Sequence, residues 1–119
     1  MVEEKKPQII GMVDLHDRPE EIRRLLHEGE TLLLTKRAKA FAHITPLAGK
    51  KGESAPKGSK IMGLSEVRED RDEFIFTLLG DTKITLTYYG RPIGVVNPKI
   101  PAEVLEQFPD LKVARRRKS

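Results

Sequence analysis

Residues 84–98, Ile-Thr-Leu-Thr-Tyr-Tyr-Gly-Arg-Pro-Ile-Gly-Val-Val-Asn-Pro, decide how this chain is read. Ile84, Leu86 and Tyr88 alternate with Thr85, Thr87 and Tyr89, the period of a strand with one buried face. Gly90 offers a turn position that tolerates positive φ, and Pro92–Val96 supply a return strand, so the stretch predicts a β-hairpin. The same stretch occurs twice. Shifted back by 52 residues, positions 32–46 read Leu-Leu-Leu-Thr-Lys-Arg-Ala-Lys-Ala-Phe-Ala-His-Ile-Thr-Pro, and Leu34, Thr35 and Pro46 fall on Leu86, Thr87 and Pro98.

The frame runs upstream without a gap. Ile9 meets Ile61, Gly11 meets Gly63, Glu21 meets Glu73 and Leu26 meets Leu78, which brings the identities to 7 in the 38 positions of 9–46 against 61–98. Met12/Leu64, Leu15/Val67, Ile22/Phe74 and Phe41/Ile93 keep apolar character at matched positions. An internal duplication follows, with each copy reading β-α-β-β in an α+β fold. The expected parts are a first repeat over 1–47, a basic linker over 48–60, a second repeat over 61–111 and a basic tail over 112–119.

Within each copy the local signals are specific. A strand is expected over Ile9–Val13, then a helix capped by Asp17 with Pro19 in its first turn and Gly29 as its stop. Ile22, Leu25 and Leu26 make its apolar face. The second copy predicts a strand from Ile61 and one helix from Ser65 to Leu79, ended by Gly80. Val67, Phe74, Ile75 and Leu78 form its buried face, widened by Phe76 and Leu79. A short helix from Pro101 to Phe108 offers Val104, Leu105 and Phe108 for burial or for a partner.

Composition removes several functions. The chain has no cysteine, so disulfides, thiolate zinc sites and cysteine nucleophiles are excluded, and a reducing cytoplasm fits. No apolar run reaches the length of a membrane span, and Met-Val-Glu-Glu-Lys-Lys does not resemble a signal peptide. His16, His27 and His43 lie on three different elements, no metal or nucleophile motif is present, and Gly52–Lys60 has the wrong spacing for a phosphate loop. Neither catalysis nor a cofactor is expected. The net charge of +4 is unevenly spread: the linker carries +3 and the tail from Lys112 carries +5, which leaves −4 on the remainder. A polyanion partner would therefore be met through local basic patches.

Thr-Tyr-Tyr-Gly-Arg-Pro-Ile-Gly-Val-Val-Asn-Pro (87–98) resembles the TRRGKPVAVLVP signature of the Phd/YefM (prevent-host-death) antitoxins, and Ser65-Glu66-Val67-Arg68 resembles the SEAR that opens their first helix. The resemblance covers about two thirds of the chain, once per repeat, and is closer in the second. It implies an intramolecular pseudo-dimer that binds double-stranded operator DNA as a transcriptional regulator, with a toxin as further partner and further homodimerisation open. The family's extended toxin-binding segment has little counterpart here, since about twenty residues follow Pro98.

The resemblance assigns operator contact to Arg68, with Ser65 as the cap that places it in the first helical turn. The alternative for Arg68 is a surface ion pair with Asp72 at i+4. The matching positions of the first repeat are Val13 and His16, which depart from the motif. Lys36, Arg37 and Lys39 ring the first hairpin turn and Arg91 marks the second, where positive charge either grips phosphate or is merely solvated. Ala38 replaces the family's glycine, and Tyr88 and Tyr89 replace its basic residues, either as cross-strand packing or as base-stacking platforms. Arg115, Arg116 and Arg117 are either non-specific phosphate contacts or a solubilising tail. Two rival functions stand beside the antitoxin: a protein-interaction module that kept the fold, and an RNA- or ribosome-associated factor.

Overall fold

The computed structural model describes residues 7–37, 39–47 and 58–113. The fold is α+β. Helices α1 (Met12–Asp17), α2 (Pro19–His27), α3 (Leu64–Glu69), α4 (Arg71–Leu79) and α5 (Ala102–Glu106) accompany a seven-stranded sheet. Its strands are β1 (Gln8–Gly11), β2 (Leu32–Lys36), β3 (Lys39–Pro46), β4 (Lys60–Gly63), β5 (Ile84–Tyr88), β6 (Arg91–Asn97) and β7 (Lys112–Val113), in the order β1-β2-β3-β6-β5-β4, with β7 beside β3.

The ladders repeat at the interval of the sequence frame. Gln8 pairs with Leu32 in the parallel β1/β2 ladder, and Lys60 pairs with Ile84 in β4/β5. Leu33 opposes His43 in the antiparallel β2/β3 ladder, and Thr85 opposes Val95 in β5/β6. Both hairpins slip by one residue, between Leu34 and Thr35 and between Leu86 and Thr87, which leaves Phe41 and Ile93 bulged. The bulge turns Ala40 and Ala42 to opposite faces: Ala42 joins the main core and Ala40 joins Leu33 and Val104 on the other side. Antiparallel pairs His43–Asn97, Ile44–Val96 and Thr45–Val95 join β3 to β6.

One hydrophobic cluster draws on both repeats. Leu15, Ile22, Leu26, Leu34 and Ile44 pack with Val67, Phe74, Leu78, Leu86 and Val96. Side chains of this size contribute about 1.5–3 kcal/mol each when fully buried. Helix α2 lies against β6 as well as β3, so the helix of one repeat covers strands of both. Ile22, Leu25, Leu26, Phe74 and Leu78 are buried as expected.

Several expectations are corrected. The strand expected over Ile9–Val13 stops at Gly11, because Met12 and Val13 open α1. The single helix expected from Ser65 to Leu79 is two helices, and in the first repeat an additional helix, α1, precedes the one expected at Pro19. In the first repeat Arg18 leaves the helical region (φ −126°, ψ 58°), as a residue before proline favours, and Pro19 starts α2, so Asp17 ends α1 rather than capping α2. In the second repeat Asp70 breaks the helix at φ −131°, ψ 62°, and its side chain accepts the Glu73 N–H at 3.3 Å to cap α4. Ser65 is not a cap either: Gly63 takes that place, donating its N–H to Glu66 Oε1 at 3.3 Å, as Gly11 donates to Asp14 Oδ2 at 3.2 Å.

Both second helices close with the same carbonyl pattern, Glu30 N–H to Leu25 O and Thr82 N–H to Thr77 O. Gly29 holds the left-handed position after α2 (φ 85°); α4 ends at Leu79 with Gly80 next, as expected, but the left-handed position there is held by Asp81 (φ 61°). Phe76 and Leu79 do not widen a buried face; they are 73% and 42% exposed. Lys60, placed in the linker by sequence, begins β4 and its ammonium pairs with Glu73 of α4, which holds that carboxyl below its usual range. Lys112 and Val113, placed in the tail, form β7.

Candidate nucleic-acid interface

The two hairpin tips are built alike and filled differently. Two residues separate β2 from β3 and β5 from β6. Arg37 (φ 53°) and Tyr89 (φ 51°) both occupy the left-handed region, followed in the second tip by Gly90 at φ 78°. Positive φ at both central residues is the hairpin turn whose twist matches its strands. Ala38 lies outside the described residues.

Each tip faces the start of its own repeat's first helix and the start of the other repeat's second helix. A cleft of about 520 Å³ is lined by Gly63, Ser65, Arg68, Tyr88 and Tyr89 of the second repeat and by Pro19 of the first. A cleft of about 450 Å³ is lined by Gly11, Val13, Lys36 and Arg37 of the first repeat and by Arg71 and Asp72 of the second. Most of the linings correspond at the 52-residue interval, Gly11 with Gly63, Val13 with Ser65, Lys36 with Tyr88 and Arg37 with Tyr89, with Arg71 standing where Pro19 stands. Glu66 and Arg68 on one side and Asp72 and Ile75 on the other have no counterpart among the described lining residues. One cleft therefore carries two tyrosines with Arg68 and Glu66, and the other carries Lys36, Arg37 and Arg71 against Asp72, beside Met12, Val13 and Ile75.

In the aromatic cleft, Tyr88 hydroxyl donates to Glu20 Oε1 at 3.2 Å and the Arg23 guanidinium lies 5.8 Å from its ring centroid. Partial burial and the Glu20 carboxylate both push the Tyr88 phenol pKa up. Tyr89 stands edge-on to Tyr88 at 4.5 Å and is 88% exposed. Arg68 is exposed and sits in the last turn of α3, not in a first turn. The break at Asp70 ends the helical i+4 relation to Asp72, and no Arg68–Asp72 ion pair occurs among the described residues. Ser65 is exposed in the first turn of α3. Arg91 is exposed and paired across the hairpin with Tyr88.

The cationic side carries an electrostatically costly arrangement. Lys36 opposes Lys39 in the β2/β3 ladder, and Lys39 opposes Lys112 in the parallel β3/β7 ladder. Three ammonium-bearing residues thus lie in one row across three strands about 4.8 Å apart, where like charges directly opposite destabilise a sheet. None of the three has an ion-pair partner among the described residues. An anion laid across the row would relieve that repulsion.

The remaining expected residues divide. His16 belongs to α1, and its side chain is outside what is described. Arg115, Arg116 and Arg117 lie outside the described residues; they follow Val113, which pairs with Ala40 next to the lysine row. Val104 is buried against Leu33 and Ala40, with Leu105 and Phe108 half-buried beside it, so this apolar stripe is engaged within its own chain. His43 is buried, its Nε2 has no hydrogen-bond partner among the described residues, and desolvation lowers its pKa. Sequence reasoning missed Arg71 and Lys112. Arg71 matches a proline in the other repeat, and Lys112 reaches the site only through the β3/β7 ladder, so no local pattern marked either.

Among the described residues no group of three or more His, Asp or Glu side chains could hold a metal ion, and no helix is long and apolar enough to cross a membrane. Comparison with protein-family models, with curated proteins and with solved structures finds no match to this chain.

Proposed function

We propose that the chain is an antitoxin-like, DNA-binding transcriptional regulator in which two β-α-α-β-β repeats act as an intramolecular pseudo-dimer. The observation that carries the reading is the row Lys36–Lys39–Lys112, an arrangement unfavourable to the sheet and favourable to a phosphate backbone. The repeated ladders support the pseudo-dimer, because Ile44 and Val96 occupy the same position of the two repeats and pair with each other. In this reading backbone is gripped around the first hairpin tip by the lysine row, Arg37 and, from the second repeat, Arg71. The second reads the duplex with Arg68, helped by Ser65 and Arg91. A toxin partner belongs to the same proposal and rests on the resemblance alone, and a cytoplasmic site of action belongs to it with the absence of cysteine as its support.

The test is binding to the gene's own promoter duplex against a random duplex at two salt concentrations. Arg68→Ala is expected to remove about 1–3 kcal/mol on the promoter and much less on random DNA. The double variant Lys36→Gln/Lys39→Gln is expected to weaken both duplexes alike and to flatten the salt dependence. Equal affinity of the wild-type chain for both duplexes would remove operator readout. A second reading, a protein-interaction module, draws on a different observation, the exposed Phe76 and Leu79 of α4.

A further inference from the structure

The two second helices supply an internal control. Helix α2 carries Arg23, Arg24 and His27 where α4 carries Ile75, Phe76 and Leu79. Both helices pack their buried faces into the same core, through Ile22 and Leu26 in one and Phe74 and Leu78 in the other. The fold therefore does not require apolar residues at the outward positions of Phe76 and Leu79, since α2 holds its place with Arg24 and His27 there, whereas Ile75 is half-buried against the main core. Yet Phe76 is 73% exposed, and Leu79, its surface neighbour at i+3, is 42% exposed. Desolvating them would be favourable, and nothing within the described chain does so.

Leu79 of this exposed pair lines a groove; Phe76, next in sequence to Ile75, stands outside it. Ile75 and Leu79 line it with Phe41, the bulged residue of β3, and Val113 of β7, enclosing about 630 Å³. Its rim is the lysine row with Arg37. An apolar floor under a cationic rim specifies an occupant that brings apolar anchors and carboxylates together. Phosphate backbone satisfies the rim and leaves the floor wet. The chain's own segments outside the described residues fit poorly. Residues 48–57 (Ala-Gly-Lys-Lys-Gly-Glu-Ser-Ala-Pro-Lys) and 114–119 (Ala-Arg-Arg-Arg-Lys-Ser) are basic and bear no large apolar side chain. Residues 1–6 balance two glutamates against two lysines.

We propose that the groove between α4 and the β2/β3 hairpin tip docks an acidic, apolar-anchored peptide segment of a partner protein. Its anchors lie on Ile75, Phe76 and Leu79, and its carboxylates lie on Lys36, Lys39 and Lys112. The inference goes beyond the operator-binding proposal by its apolar floor but shares the lysine row with it, so peptide and duplex would compete for Lys36, Lys39 and Lys112.

The test uses the full chain and a fluorescein-labelled synthetic helix with Leu and Phe anchors at i, i+3 and i+4 and glutamates between them, read by fluorescence anisotropy. One control peptide replaces every glutamate by glutamine, and another replaces every anchor by serine. The acidic apolar peptide is expected to bind at least about tenfold more tightly than either control, and to weaken as salt rises from about 50 to about 300 mM. Phe76→Arg and Leu79→His place on α4 the residue types α2 already tolerates. Each is expected to weaken binding about tenfold or more with an unchanged thermal unfolding midpoint. Equal binding of the three peptides, or binding insensitive to Phe76→Arg, would overturn the proposal. So would a concentration-dependent dimer that Phe76→Arg dissociates, since the groove would then belong to a second copy of this chain.

Discussion

Leu26 of α2 lies directly on Gly94 of β6: a Cβ at position 94 would come to 3.0 Å from Leu26 Cδ1 and to 3.0 Å from the Thr45 carbonyl oxygen. A helix of the first repeat is thus seated on a strand of the second at a point where a methyl group fits only if its neighbours give way by a few tenths of an ångström. The Leu26 side chain can rotate, but the Thr45 oxygen is backbone in the β3/β6 ladder and can yield little. Gly94→Ala is expected to destabilise the chain by about 1–3 kcal/mol in urea unfolding. The matching residue of the first repeat is Ala42, so an unchanged midpoint would mean that the helix and strand can separate enough to admit a methyl group.

His43 gives a pH-dependent prediction. Burial lowers its pKa below the ordinary 6.5, so the folded chain favours the neutral ring and the unfolded chain takes up the proton first. Its contribution is fully present above the ordinary value and is lost as pH falls through the lowered one. His43→Val copies the matched Val95 and removes an unpartnered buried nitrogen. The variant is expected to gain about 1–3 kcal/mol at pH 7. It is also expected to lose less stability than the wild type between neutral and mildly acidic pH, followed by thermal unfolding across that range.

Tyr89 occupies a left-handed backbone position while almost fully exposed, a conformation that costs an ordinary residue about 1–2 kcal/mol. Asparagine tolerates that region, so Tyr89→Asn is expected to raise stability by up to about 1 kcal/mol. On the operator-binding proposal the same change weakens duplex affinity, because it removes the aromatic tip of the second repeat. Stability and binding would move in opposite directions, which separates a functional tyrosine from a structural one.

Deleting residues 114–119 removes four positive charges. On the same proposal, affinity for promoter and random duplex is expected to fall alike, and the slope of log affinity against log salt is expected to shallow by up to about 0.9 for each phosphate that the tail neutralises. An unchanged slope in a filter-binding titration would confine the tail to solubility.

The amino-acid sequence by itself determined that there are two hairpins and that they correspond at a fixed interval. Period-two alternation and a 52-residue frame are local or repeated properties, and the ladders of β1–β3 and β4–β6 obey that frame residue by residue, while the registers, the bulges and the parallel pairing of β1 and β4 were not legible in it. It also marked the buried faces of α2 and α4, because Ile22, Leu26, Phe74 and Leu78 sit at helical spacing. Only the tertiary structure decided the rest. The break at Asp70 replaced a continuous helix, since the apolar period carries on through that position and hides the change of direction, and α1 formed where a strand end and a loop were expected. Phe76 counts as core by hydropathy, but the side of α4 that meets the sheet is fixed by packing, and it leaves Phe76 in solvent. Arg71 enters the first repeat's cleft from the second repeat, and Lys112 joins Lys36 and Lys39 through a parallel pairing with β3. Contacts between residues so distant along the chain leave no period in the sequence, because each is set by where a whole element docks rather than by its neighbours.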